Sequence, residues 1–136
     1  MSAWPRPGFV AMDLVDPFEV FVGPAYQEGA PGERCYAFQI DARHVNRRDV
    51  VHGGMLLTFA DLALGAAAWD LTDRAPCVTL SMQTEFLKPA RIGDIVEVRP
   101  RCLRRTRALL FLRGDFTVEG EAIFAAQSVW KLLGKD

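Results

Sequence analysis

Between residues 46 and 61 the chain carries an amide, an imidazole, two adjacent glycines and a carboxylate at fixed offsets, Asn46-x5-His52-Gly53-Gly54-x6-Asp61. Each residue type has a chemical use. A Gly53-Gly54 pair at a helix start offers N–H groups that lack intrahelical partners and stand at the positive end of the macrodipole, where a developing oxyanion can be held. Asp61 follows two helical turns later, and a carboxylate there can attack a carbonyl or take a proton from the water that does. Asn46 can order a substrate or a water, or brace its own loop as Asn commonly does. His52 is of the right type for a catalytic base, yet a His beside a helix start more often bonds nearby backbone and fixes the turn. His44, Asp49 and His52 match no helical or hairpin ligand spacing, so no metal is expected, and no other cofactor either.

Distance constrains how these groups can cooperate. Gly54 and Asp61 share a helix face but lie about 10.5 Å apart along the axis at a rise of about 1.5 Å per residue. One carbonyl cannot reach both within one chain. Two such helices packed antiparallel across a two-fold axis would bring Gly54 of one chain to Asp61 of the other and create two composite sites. The small-sided stripe Gly54, Asp61, Gly65 and Ala68 would let the partner come close. Asp61 sits among Phe59, Ala60, Leu62 and Leu64, and an ionised group buried there without partners is costly. It is either reactive or a structural carboxylate paired with an Arg from elsewhere.

The elements that must position these groups are legible in outline. Residues 55–71 are rich in Ala, Leu, Met and Phe without period-2 alternation, which predicts one helix of about 17 residues. Apolar residues lie almost all round it, so the rest of the domain should wrap it. Residues 18–22 (FEVFV) read as a first strand stopped by Gly23-Pro24, and residues 35–41 as a second, followed by a polar loop at 44–52. Residues 77–87, 94–103, 108–118 and 121–133 read as four successive strands with tight links, an antiparallel meander. Pro100 cannot donate to a ladder and marks an edge or a bulge. The expected class is α+β, a curved antiparallel β-sheet around one long central α-helix.

Bulk properties narrow the possibilities. The chain has 136 residues, half of them apolar, enough for a single domain over 1–136 with a real core, with 1–17 as a loosely structured leader. A net charge of −1 provides no global field for nucleic acid or an anionic membrane, so an anionic ligand must be held locally. Cys35, Cys77 and Cys102 are widely spaced with no CxxC pairing, which fits a reducing compartment rather than a disulfide framework. The prolines and aspartates of the first 17 residues leave no apolar run for a signal peptide. Residues 55–71 are interrupted by Asp61 and Asp70 and fall short of the roughly 20 that span a bilayer. A cytoplasmic protein is expected.

Taken with the downstream run from Thr79 to Asp94 (TLSMQTEFLKPARIGD), the Asn46–Asp61 string resembles the phenylacetic-acid-degradation type of hotdog thioesterase, in the 4-hydroxybenzoyl-CoA thioesterase superfamily. The similarity spans about residues 18–133. It implies an acyl-CoA thioesterase in which a sheet wraps a central helix and homodimers often pair into tetramers. By position, Asp61 corresponds to the family's nucleophile or general base, Gly54 to the oxyanion N–H and Asn46 to a residue ordering substrate or water. Thr79 falls where many members place a Ser or Thr near the attacking water, and Ser81, two residues on, should face the same side of the strand. Gly53 stands beside the oxyanion donor. Among the basic residues, Arg47-Arg48, Lys88 with Arg91, and Arg104-Arg105-Arg107 are candidates for the phosphates of CoA. Phe59, Trp69 and Phe86 could line an acyl pocket, although aromatics in a small core are usually just core. Two other functions stay open: a hotdog hydratase or dehydratase on acyl-CoA or acyl-carrier protein, and a non-catalytic acyl-CoA sensor.

Overall fold

A computed structural model describes residues 4–134. In chain order its elements are β1 (Val10–Ala11), α1 (Pro17–Val22), β2 (Tyr26–Glu28), β3 (Cys35–Gln39), a 3-10 turn at Ala42–His44, α2 (Gly53–Leu71), β4 (Cys77–Phe86), β5 (Ile95–Val98), β6 (Arg101–Arg105), β7 (Leu109–Val118) and β8 (Glu121–Leu132). The strands form one antiparallel sheet in the order β1-β2-β3-β5-β7-β8-β4, with β6 pairing β7. Alternate residues of the central strands, among them Phe38, Val96, Leu110, Phe116 and Phe124, point inward and are essentially inaccessible. They close on Leu56, Phe59, Ala60, Ala63 and Leu64 of α2. A chain of ring contacts links the layers, with centroids 4.6 Å apart for Phe38–Phe59, 5.8 Å for Phe59–Phe116 and 5.3 Å for Phe116–Phe124. This is the expected α+β arrangement, one helix held inside a curved sheet. By length and composition α2 could also cross a membrane, but eight of its 19 residues, all apolar, are buried within the domain.

Several expectations need correction. Residues 18–22 form a helix and not a strand. Asp16 takes the extended cap conformation and Pro17 presets the first helical φ, a start signal that overrides the β-branched composition of so short a stretch. The far end of α1 is held from outside: Arg43 donates to the carbonyls of Phe21 and Gly23, and the buried His44 ring bonds the Val22 carbonyl at 2.7 Å. Within the leader, β1 pairs with Tyr26 and Gln27 and the Trp4 ring packs edge-on against Tyr26 at 4.8 Å.

The last four strand segments are not a simple meander. Segment 77–87 leaves α2 and crosses to the far side, where β4 pairs with β8, while β5 inserts between β3 and β7. The segment expected at 94–103 is cut at Arg99-Pro100 into β5 and β6, which follow one another along the same edge of β7. Pro100 thus acts as the interruption its missing N–H requires. The helix begins two residues earlier than expected, at Gly53, so both glycines lie inside its first turn.

Candidate functional site

Asp61 projects from the middle of α2 beside β4. Its Oδ1 accepts a 2.6 Å hydrogen bond from the Thr79 hydroxyl, and among the described residues no Lys or Arg is ion-paired with it. The other carboxylate of the helix shows the contrast. Asp70 receives Arg34 Nε at 2.9 Å and the buried Tyr36 hydroxyl at 3.3 Å, so the structural pairing considered for Asp61 belongs to Asp70 instead. Asp61 is not buried within its own chain either; it opens on a cleft of about 630 Å³ that it shares with Thr79, Gly65, Trp69 and Trp130.

Ser81 does not accompany Thr79. Thr79 pairs with Trp130 and Ser81 with the adjacent Val129, so Leu80 is the extra residue of a β-bulge. The bulge reverses the alternation. Cys77 and Thr79 face inward before it, Met82 and Thr84 after it, and Ser81 is exposed on the opposite side. A one-residue insertion flips every side chain beyond it, which is why simple two-residue counting placed Ser81 wrongly.

Asn46, His52, Gly53 and Gly54 gather at the start of α2. Asn46 Oδ1 accepts from the N–H groups of Arg48 at 2.8 Å and Val50 at 3.3 Å, which braces the loop and gives its Nδ2 donors as what it can offer a ligand. His52 caps the helix: its Nδ1 accepts from the Gly54 N–H at 2.8 Å. His44 has both ring nitrogens engaged, Nδ1 with the Asp41 N–H and Nε2 with the Val22 carbonyl. Both glycines permit close approach, since a Cβ at Gly53 would stand 3.1 Å from the Phe86 ring and one at Gly54 3.0 Å from His52 Nδ1. Gly53 and Lys88 line a second groove, of about 270 Å³, but Lys88 is paired to Glu121 at 2.6 Å. Arg91 is exposed and does not line that groove.

The site residues therefore fall into two sets on one helix, Asp61 with Thr79 in one cleft and the Asn46–Gly54 loop with Lys88 at another groove. The chain does not wrap α2 completely. Gly54, Leu57, Asp61 and Trp69 form an exposed stripe, with Gly65 half-buried on it; Ala68, expected on this stripe, is fully buried. Beside the stripe runs β4, a ten-residue strand at the end of the sheet with Val78, Leu80 and Phe86 exposed. Natural sheets rarely leave so long and apolar an edge uncovered.

Sequence reasoning missed the residues that form the far wall of the Asp61 cleft. The leader contributes Asp13 and Asp16, and α1 contributes Glu19. Burial, the neighbouring Asp16 carboxylate and then Asp61 push the Glu19 carboxyl above its ordinary range. The Asp16-Pro17 helix start was the available signal, because it fixes which side Glu19 projects from. Gly65 was noted only as small. A Cβ there would lie 2.9 Å from Trp130 Cη2, so Gly65→Ala must displace the indole that floors the cleft. Gly65→Ala should lower stability by about 1–3 kcal/mol despite alanine's better helix propensity. A thermal melt checks this, and an unchanged midpoint would mean that Trp130 yields freely.

Comparison with known proteins agrees with this architecture. Residues 49–125 match the model of the thioesterase superfamily. A Pseudomonas aeruginosa protein named as an esterase is 31% identical over 123 residues, covering 89% of this chain and 91% of its own. Human acyl-coenzyme A thioesterase 13 is 27% identical over 99 residues, 72% of this chain and 70% of that protein. Among solved structures, the phenylacetic acid degradation protein PaaI from Thermus thermophilus superposes with a TM-score of 0.77 at 28% identity, covering 87% of this chain and 100% of that one. A matched stretch that runs from the loop before α2 into β8, on a sheet curled round one helix, makes this chain a member of the thioesterase superfamily, a hotdog-fold thioester hydrolase.

Proposed function

We propose that the protein hydrolyses acyl-CoA thioesters at composite sites between two chains, with Asp61 as the reacting carboxylate and Gly54 as the oxyanion donor. The observation that carries this reading is the Thr79–Asp61 hydrogen bond. It holds a carboxylate that has no ion-paired cation among the described residues at the mouth of a cleft large enough for an acyl group, and leaves Oδ2 for a water or a carbonyl carbon. The thioester oxygen takes the Gly54 N–H of the other chain, displacing His52 Nδ1 as acceptor. Either Asp61 Oδ2 attacks the carbonyl carbon and expels the CoA thiolate, leaving a mixed anhydride that water cleaves to the free acid and the Asp61 carboxylate, or Asp61 removes a proton from a water that attacks. In the water route the C–O bond forms as the C–S bond breaks, and Asp61 returns the proton to the departing thiolate. Asn46 Nδ2 orders the substrate or the water, and Lys88 and Arg91 remain candidates for the CoA phosphates.

The open stripe of α2 and the uncovered β4 edge support a homodimer, and dimers of this kind can pair again into tetramers. The three free thiols fit a reducing cytoplasm. An acyl-CoA panel with a thiol reagent tests the activity directly, and release of CoA with no water added across a double bond separates hydrolysis from hydration or silent binding. Thr79→Val should then lower kcat about tenfold with little change in KM, since it removes a hydrogen bond to the reacting group and not to the substrate. An unaltered kcat would show that the hydroxyl has no part in the reaction.

A further inference from the structure

We propose that the acidic wall contributed by the leader and α1 makes this a charge-selective thioesterase, one that accepts acyl groups with an uncharged distal end and rejects those ending in a carboxylate. The inference rests on the reading of Asp61 as the reacting carboxylate of a cleft that receives the acyl group. Asp13, Asp16, Glu19 and Asp61 all line that cleft, and among the described residues its remaining lining is apolar or hydroxyl-bearing with no Lys, Arg or His. Arg74 stacks on Trp69, with Cζ 4.8 Å from the ring centroid, but does not itself line the cleft.

A distal carboxylate entering here leaves water, meets no counter-charge among the described residues of this chain that line the cleft, and faces its negative groups. A neutral chain loses nothing. The backbone that carries the wall is anchored away from the cleft: the Met12 N–H bonds the Ala25 carbonyl at 2.8 Å, and Arg43 and His44 bind the last carbonyls of α1 and of Gly23. Burial first, and then the Asp16 and Asp61 carboxylates, raise the Glu19 pKa, in keeping with acidic groups that line one cleft.

Hexanoyl-CoA and adipoyl-CoA have the same chain length and differ by the distal carboxylate, so they read this selectivity directly. With about tenfold discrimination from each of Asp16 and Glu19, kcat/KM should favour hexanoyl-CoA by a factor on the order of 100. In an Asp16→Asn/Glu19→Gln double variant the preference should shrink by at least about tenfold, and in the wild type it should narrow as salt rises from about 0.05 to 1 M. The non-hydrolysable thioethers hexyl-CoA and 5-carboxypentyl-CoA should show the same order of binding by calorimetry without turnover. Equal handling of the pair by the wild type, or a preference unmoved in the folded double variant, overturns the proposal. Should the double variant not fold, a preference indifferent to salt overturns it equally. Asp61→Asn separates this inference from the reading beneath it. If hexanoyl-CoA hydrolysis survives that change, the role of Asp61 fails while the thioether pair still decides selectivity. If hydrolysis is lost but the pair is not discriminated, only charge selection fails.

Discussion

Asp61→Asn should lower thioester turnover by a factor on the order of 10² or more and leave the fold intact. The substitution is nearly isosteric, and the new amide oxygen can still accept the Thr79 hydroxyl that now binds Oδ1. Asp61 is exposed within its own chain and has no ion-pair partner among the described residues, so its charge contributes little to stability. What the amide cannot do is accept a proton from water or attack a carbonyl. Steady-state kinetics by thiol release, paired with a thermal melt, check both halves of the expectation. Wild-type turnover by a folded Asp61→Asn protein would remove Asp61 from the reaction. A collapse of the melt would instead reassign it to the structural role that Asp70 plays with Arg34 and Tyr36.

The central helix, the strands that pair on the sheet and the Asn46–Asp61 string were legible because each rests on a local pattern: composition and period for α2, alternation for β3 and β7, fixed offsets for the string. The failures were of two other kinds. Residues 18–22 have strand-like composition, but a five-residue window carries too little information to outweigh the Asp16-Pro17 start, and the anchors that hold α1 come from Arg43 and His44, about 20 positions away. The crossing of β4 to pair with β8 is likewise a non-local choice, invisible to any window along the chain. Ser81 was misplaced by a bulge that leaves no signature at Thr79-Leu80-Ser81. The acidic wall was missed for the same reason as α1, since only folding brings Asp16 and Glu19 to the cleft of Asp61.

Activity should reappear when two inactive variants are mixed, and this follows from the helix geometry. Gly54 and Asp61 lie on one uninterrupted helix, Gly53–Leu71, so their separation along the axis is about 10.5 Å and cannot close within a chain. Gly54→Pro removes the N–H proposed as oxyanion donor, for which a loss of roughly 3 kcal/mol is typical, and proline is tolerated in the first turn of a helix. Each variant alone should be nearly inert, and so should a monomer. A heterodimer of Asp61→Asn with Gly54→Pro contains one site with both lesions and one with neither, because each composite site takes Gly54 from one chain and Asp61 from the other. Turnover should approach half the wild-type value per heterodimer once subunits have exchanged. Native mass spectrometry reports the exchange and thiol release reports the activity. Complete exchange without any recovery would mean that the two residues serve one carbonyl from within the same chain, or that they serve different ones, and the two-fold arrangement would have to be abandoned.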